Sequence, residues 1–188
     1  ILQFERWFLQ ACDDGYAMPH GMSLATASTD GQPTVRTVLL KRYDNEGFVF
    51  FTNYQSCKAQ QIGENPRASL LFPWIRLGRQ IIVSGRVEKI STTESLQYFL
   101  SRPRNSQLGA WASTQSSVIS SRAVLESAFA QMKRRFAEGE VPLPEFWGGY
   151  RVCPDSLEFW QNRKNRLHDR FLYQKKNVGE WQINRLTP

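Results

Sequence analysis

Apolar positions along the first half of the chain change from a helical to an alternating spacing. Phe4, Phe8 and Cys12 recur four apart, which predicts an N-terminal helix with one packing face. Beyond it the period falls to two. Met22–Ser28 and Thr34–Arg42 read as strands joined by Thr29-Asp30-Gly31-Gln32, whose Asp-Gly pair marks a hairpin turn. Asn45-Glu46-Gly47 then turns the chain into Phe48–Thr52, an aromatic and β-branched run suited to a strand. Ser56 opens a short helix to about Gly63, ended by Asn65-Pro66. Ala68–Trp74 and Gln80–Ile90 add two more strands, and five strands joined by short turns predict an antiparallel barrel.

The second half mixes the two periods. Ser91-Thr92-Thr93-Glu94 is a capping-box pattern that starts a helix through Phe99 or Leu100, stopped by Pro103. A polar stretch, Ser113 to Ser117, leads to a longer helix from about Ser121 to Glu138 with an apolar stripe of Leu125, Phe129, Met132 and Phe136. Val141-Pro142-Leu143-Pro144 resets the chain. Trp147–Val152, Ser156–Gln161, His168–Gln174 and Trp181–Leu186 read as closing strands, with Gly148-Gly149 a bulge or a point of close packing. The expectation is a mainly β fold with helices (α+β), one domain over residues 1–188, a length that fills a single core.

The chain carries 24 Lys and Arg against 17 Asp and Glu, a net charge of +7, so an anionic partner is expected. The basic residues are scattered and form no RRM, zinc-finger or helix-turn-helix signature, which favours small phosphorylated molecules over nucleic acid. Cys12, Cys57 and Cys153 lie far apart with no CxxC pair, so a disulfide framework or structural zinc is not expected and a reducing cytoplasm suits them. With only His20 and His168, a histidine-rich metal centre is not expected either. No apolar run has the length to span a membrane. Charges interrupt the first eight residues, which read as a packing helix and not a signal peptide. Because the chain opens on Ile1 and not on methionine, a preceding segment is expected to have been trimmed or to lie outside it.

Three segments could carry chemistry. On a strand, Arg166-Leu167-His168-Asp169-Arg170-Phe171 would set Arg166, His168 and Arg170 on one face over an apolar backing of Leu167 and Phe171. With alternate residues about 6–7 Å apart, those groups could hold an anion beside a polar ring; an edge strand with solvated charges gives the same pattern. Arg36 to Lys41 has a cation at each end, and Ser56-Cys57-Lys58 at a helix start is either a phosphate cradle or a plain N-cap. Tyr98 and Arg102 share a helix face, with Ser106 in the following turn: a second phosphate-type constellation, or a solvated pair. GxGxxG and Walker loops are absent, as is a GxSxG serine for His168. Glu94, Glu126 and Glu158 read as surface carboxylates.

In this order, Arg36–Lys41, Phe51-Thr52-Asn53, Leu70–Trp74, Ser101-Arg102-Pro103, Ser106–Ala110, Gln115-Ser116-Ser117, Phe146–Gly149, Glu158–Gln161 and Arg166–Arg170 resemble the pyridoxamine 5'-phosphate oxidase family, and the resemblance spans essentially the whole chain. It implies the FMN-binding split barrel and a homodimer with FMN at the subunit interface. FMN contacts would fall on Arg36, Lys58, Gln80, Gln115, Ser116, Trp160 and Arg170, with Phe51 and Thr52 lining the site and Thr37, Val38, Leu39, Leu40, Lys41 and Cys57 beside it. Substrate phosphate would fall on Lys41, Tyr98, Arg102 and Ser106, with Arg166 and His168 as the catalytic pair over the pyridine ring. The implied reaction oxidises pyridoxamine or pyridoxine 5'-phosphate to pyridoxal 5'-phosphate, with oxygen reduced to hydrogen peroxide.

Several positions depart from the family pattern. Cys57 stands where many members carry arginine beside the FMN phosphate, which predicts weaker flavin retention. Met18 stands where an acid is common, Asn162 replaces a frequent glycine, and Gly78 replaces a frequent polar residue. The family's additional N-terminal segment, which can help cover the substrate, is not represented in this sequence. Two other functions fit the same residues: a related split-barrel flavin oxidase on another aromatic substrate, as in phenazine pathways, and a non-catalytic carrier of FMN or pyridoxal phosphate.

Overall fold

The computed structural model describes residues 1–177 and 179–188. Among them, nine strands form one antiparallel sheet: β1 (Gly21–Ala27), β2 (Pro33–Leu39), β3 (Arg42–Asp44), β4 (Gly47–Asn53), β5 (Arg67–Trp74), β6 (Arg79–Lys89), β7 (Trp147–Gln161), β8 (Asp169–Asn177) and β9 (Glu180–Leu186). Their order is β2-β1-β5-β6-β7-β4-β3, with β8 and β9 branching from β7. The branch follows from the length of β7, 15 residues. One edge of it pairs first with β4, over Trp147–Val152, and then with β8, over Ser156–Gln161, while the other edge pairs with β6. A sheet divided this way curls into a half-barrel, which agrees with the antiparallel split barrel expected from the sequence.

Two strand predictions change. Residues 147–152 and 156–161 belong to one strand, because Pro154 pairs with Gly85 and Ser156 with Ser84, leaving Asp155 as the extra residue of a bulge. A proline is tolerated at such a point. Conversely, the strand predicted over 34–42 divides into β2 and β3. Leu40 and Lys41 leave the β1 pairing there, the first bonding its N–H to His20 O and the second to Val49 O.

Helix α1 (Leu2–Asp13) fills the barrel. Phe4 is fully buried and meets Tyr43, Phe48 and Phe72 edge-on at 5.0, 4.8 and 5.0 Å. Burying such a ring contributes roughly 1.5–3 kcal/mol. The packed face runs through Phe4, Phe8 and Ala11, so the Cys12 assigned to it instead lies exposed. A second apolar cluster, Phe99, Leu108, Val141 and Trp147, sits beneath α3 (Thr92–Ser101), α4 (Arg104–Ala112) and α5 (Arg122–Arg135). On α5 the stripe holds for Phe129, Met132 and Phe136, but Leu125 is exposed. Helix α4 was not foreseen. Pro103 ends one helix and is the N-cap of the next, where its missing N–H is not needed. The short α2 (Cys57–Glu64) has Ser56 at its N-cap without a side-chain capping bond. No helix among the described residues is long and apolar enough to cross a membrane.

The expected capping box at Ser91 and Glu94 is complete in both directions. Glu94 also bonds Arg42, and the buried guanidinium of Arg151 bonds Asp44 and reaches Glu46 Oε2 at 3.0 Å. The Arg42 contact, with Ser91 next, holds the Glu94 carboxyl down from 4.5 to about 2. A depressed carboxylate gives stability that is fully present above its unfolded value and is lost as pH falls through the folded one. Urea unfolding is therefore expected to show stability falling between pH 4.5 and about 2. Glu94→Gln, which keeps a side chain suited to the capping box, should flatten that fall; an unchanged slope would assign it elsewhere.

Candidate functional site

A cavity of about 770 Å³ opens between β2, β4, the start of α2, the α3–α4 corner and the Gln115-Ser116 loop. Its volume lies within the roughly 300–1,000 Å³ of small-molecule sites. Four cations face it, Arg36, Lys41, Lys58 and Arg102, and no carboxylate is among its lining residues. Each arrives for a local reason. Arg36 projects from β2 and is tied to β1 by bonds to Leu24 O at 3.2 Å and Thr26 Oγ1 at 2.6 Å. Lys41 follows where the chain leaves β2, its ammonium 6.0 Å from the centre of the Tyr98 ring. Lys58 lies in the first turn of α2 and donates to Gln115 Oε1 at 3.1 Å, Thr52 Oγ1 at 3.3 Å and Ser56 Oγ at 3.4 Å. Burial, then the charge of Arg36, pushes the Lys58 ammonium below its ordinary value.

Ser116, at φ 73° in the left-handed region, accepts the Cys57 N–H at 3.3 Å, so the loop is fastened to the N-terminus of α2. Opposite, α3 presents Tyr98, and Arg102 stands at its C-terminal cap. Ser106 lies in the first turn of α4, not in an irregular turn. Tyr98 stacks on Phe51 at 3.9 Å, and the Arg102 guanidinium lies over Trp147 at 4.6 Å. Burial pushes Arg102 below its ordinary value. Its Nη1 is buried without a hydrogen-bond partner among the described residues. A buried cationic N–H left unpaired is costly, which marks it as a group that a ligand anion would satisfy.

The cavity thus gathers Arg36, Thr37, Val38, Leu39, Lys41, Phe51, Thr52, Cys57, Lys58, Tyr98, Arg102, Ser106, Gln115 and Ser116. Leu40 is not among them: its side chain is buried in the barrel core. Gln80, Trp160 and Arg170 lie elsewhere, in register across β6, β7 and β8. There Arg170 bonds Glu158 Oε1 at 2.8 Å and Thr187 O at 2.9 Å. Arg166 and His168 precede β8 and do not alternate on a strand. Asn165 and Arg166 are left-handed, at φ 58° and 61°, and Leu167 is exposed, so the predicted comb over an apolar backing does not form. His168 nonetheless sits beside this group, its ring 4.6 Å from that of Trp160.

Trp147 lines the cavity and was missed as a site residue. Its signal was the pair Gly148-Gly149 after it: a Cβ at 148 would lie 2.1 Å from the Tyr54 hydroxyl, and one at 149 would meet Ile90 at 2.5 Å and Phe51 at 2.9 Å. Two of the departures from the family pattern prove to be neighbours. Gly78, left-handed at φ 59°, accepts the Asn162 N–H at 2.7 Å, and a Cβ on it would stand 2.9 Å from the Asn162 Cβ. The small residue on one side makes room for the larger one on the other.

Residues 8–136 match the family model described as pyridoxamine 5'-phosphate oxidase, and residues 147–188 match that of the pyridoxine 5'-phosphate oxidase C-terminal dimerisation region. The pyridoxine/pyridoxamine 5'-phosphate oxidase of Rippkaea orientalis is 60% identical over 99% of this chain and 88% of its own length. That of Yersinia enterocolitica is 57% identical over 98% and 85%. Among solved structures, PhzG from Burkholderia lata 383, in complex with tetrahydrophenazine-1-carboxylic acid, superimposes with a TM-score of 0.94 at 28% identity, over 100% of this chain and 91% of its own. A pyridoxamine 5'-phosphate oxidase-related, FMN binding protein from Nostoc punctiforme shares the fold, with a TM-score of 0.78 at 16% identity over 99% and 96%. With both family models matched in tandem and curated relatives near 60% identity over almost its full length, the chain belongs to the pyridoxamine 5'-phosphate oxidase family.

Proposed function

We propose that this chain oxidises pyridoxamine 5'-phosphate or pyridoxine 5'-phosphate to pyridoxal 5'-phosphate, with FMN as cofactor and oxygen reduced to hydrogen peroxide. The observation that carries the reading is the carboxylate-free convergence of Lys41, Tyr98, Arg102 and Ser106, with Arg102 Nη1 unpartnered among the described residues. Two cations, a phenol and a hydroxyl suit a phosphate ester. FMN fits the remaining donors: its phosphate would lie by Arg36, Cys57, Lys58 and Ser116, and Gln115 and Thr52 would meet polar ring edges. Bound flavin supplies the hydride acceptor and passes the electrons to oxygen.

In this reading two copies pair, each bringing Gln80, Trp160, Arg166, His168 and Arg170 to the cavity of the other. The match of residues 147–188 to a dimerisation region supports it, because Trp160 to Arg170 fall within that segment. The substrate phosphate is gripped by Lys41, Arg102 and Ser106, while Arg166 and His168 orient the pyridine ring and steady charge on its substituents. Holding the reacting carbon against the flavin is the protein's main contribution. The three free cysteines accord with a reducing cytosol.

The decisive experiment is the visible spectrum of FMN-loaded protein without oxygen. Pyridoxine 5'-phosphate is expected to bleach the flavin band, and air to restore it with pyridoxal 5'-phosphate formed. A band left unbleached would overturn the reading. Bleaching by a tetrahydrophenazine carboxylate instead would select the chemistry suggested by the likeness to PhzG, and binding without turnover would select a carrier. The FMN titration that precedes the spectrum also checks Cys57. Wild type should bind more weakly than nanomolar, and Cys57→Arg should tighten binding about tenfold through one charge-assisted contact.

A further inference from the structure

The loop from Asn162 to His168 is fastened by residues to which the reading above gives no role. At its start, the Asn162 N–H bonds Gly78 O at 2.7 Å. At its end, Asp169 opens β8 and bridges two guanidiniums: Arg163 Nε donates to Oδ2 and Arg185 Nη1 to Oδ1, both at 2.6 Å. Those two bonds, that of Arg163 first, hold the Asp169 carboxyl below its ordinary value. Arg185 reaches over from β9 and lies above the Phe171 ring at 4.5 Å, so the bridge ties the loop to the hairpin of β8 and β9. Between these anchors Asn165 and Arg166 are both left-handed. Such backbone costs roughly 1–2 kcal/mol per residue and persists where its surroundings impose it.

The bridge also reaches the imidazole. With Arg163 drawn to Asp169, its backbone N–H donates to His168 Nδ1 at 3.2 Å. A ring nitrogen that accepts carries no proton, so the neutral ring holds its hydrogen on Nε2. The other face of the arrangement is Trp160, against which the ring lies.

We propose that Asp169 is a positioning residue: by bridging Arg163 and Arg185 it closes the Asn162–His168 loop, sets the left-handed turn that carries Arg166, and fixes His168 as the Nε2–H tautomer. His168 then offers substrate a hydrogen-bond donor and not an acceptor. The effect on substrate rests on the proposed oxidase reading; the tautomer does not.

The test is an imidazole nitrogen–proton correlation spectrum of the ¹⁵N-labelled, FMN-loaded protein, with steady-state kinetics on pyridoxine 5'-phosphate. With only His20 and His168 in the chain, His20→Gln assigns the signals. Wild type is expected to show His168 as the Nε2–H tautomer. Arg163→Ala and Asp169→Ala should each mix the tautomers and raise KM about tenfold, one hydrogen bond's worth, with kcat and FMN affinity changed less than about twofold. Asp169→Glu should recover part of the loss, and the double variant should be no worse than either single one. Arg163 is exposed, so its variant decides the matter even if Asp169→Ala fails to fold. An Nδ1–H tautomer in wild type overturns the proposal, as does an Arg163→Ala variant that lowers only thermal stability or that mixes the tautomers with KM unmoved. If the wild-type protein does not oxidise the substrate, the oxidase reading fails, and the spectrum alone decides the bridge.

Discussion

Replacing Arg102 by methionine is expected to raise the KM for pyridoxine 5'-phosphate about 100-fold while leaving kcat and thermal stability almost unchanged. A hydrogen bond to a charged group contributes roughly 1.5–3 kcal/mol, which corresponds to about 10- to 150-fold in affinity. Arg102 stands at the α3–α4 corner of the cavity, between Tyr98 and Ser106 in the chain. Its buried Nη1 has no hydrogen-bond partner among the described residues, so methionine removes an unsatisfied donor and keeps the apolar stem against Trp147. Loss of the cation–π contact, worth roughly 0.5–2 kcal/mol, offsets that gain. A rise in KM with kcat preserved is the signature of lost uniform binding. Pyridoxine without its phosphate should be turned over equally by both proteins. An unchanged KM for the phosphorylated substrate would remove Arg102 from the phosphate site and with it the main support for the oxidase reading.

Gly85→Ala is expected to lower stability by about 3 kcal/mol, near the upper end for overpacking, or roughly 6–12 °C in Tm for a chain of this length. A Cβ there would stand 2.0 Å from Cys153 O, 2.8 Å from its carbonyl carbon and 2.9 Å from the Pro154 Cα. All three are backbone atoms of β7 at the bulge, a point that β6 pairs on one edge and that β4, up to Val152, and β8, from Ser156, flank on the other, which restricts withdrawal. Gly63→Ala serves as the control, because a Cβ at that position in α2 meets nothing within 4 Å. That change should stabilise by about 0.5–1 kcal/mol through helix propensity. Thermal melts of the two variants that coincide would show that β7 yields where the register says it is clamped.

How far the sequence was legible depended on whether the signal was local. The capping box at Ser91 and Glu94 needs only four adjacent residues, and it forms as read. Alternation in β1 and β5 was equally plain, since each buries one face. Helix α4 was hidden because Pro103 has opposite meanings at the end and at the start of a helix. Pro154-Asp155 looked like a break because the strand it bulges against, at Ser84-Gly85 of β6, lies some 70 residues away in the chain. The cationic comb failed for a local reason that was available: Asn165 readily adopts the left-handed region, and two such residues end any alternation. Within the cavity, the side chains of α3 and β4 were placed by their own periods. The separation of Gln80, Trp160 and Arg170 from that cavity was not, because it is a property of the sheet path and of no segment alone.

The position of β7 in the sheet also bears on how the chain is made. β7 lies between β6 and β4, which precede it by about 60 and 95 residues. Until the ribosome has delivered it, both neighbours expose long unpaired edges flanked by apolar rings, the kind of surface that recruits strands from other chains. Biosynthesis therefore has a vulnerable interval that closes only when residues 147–161 emerge. Slow elongation or truncation before that point should yield aggregates and not partly active fragments, and conditions that delay translation should burden chaperones more than any weakness of the finished fold.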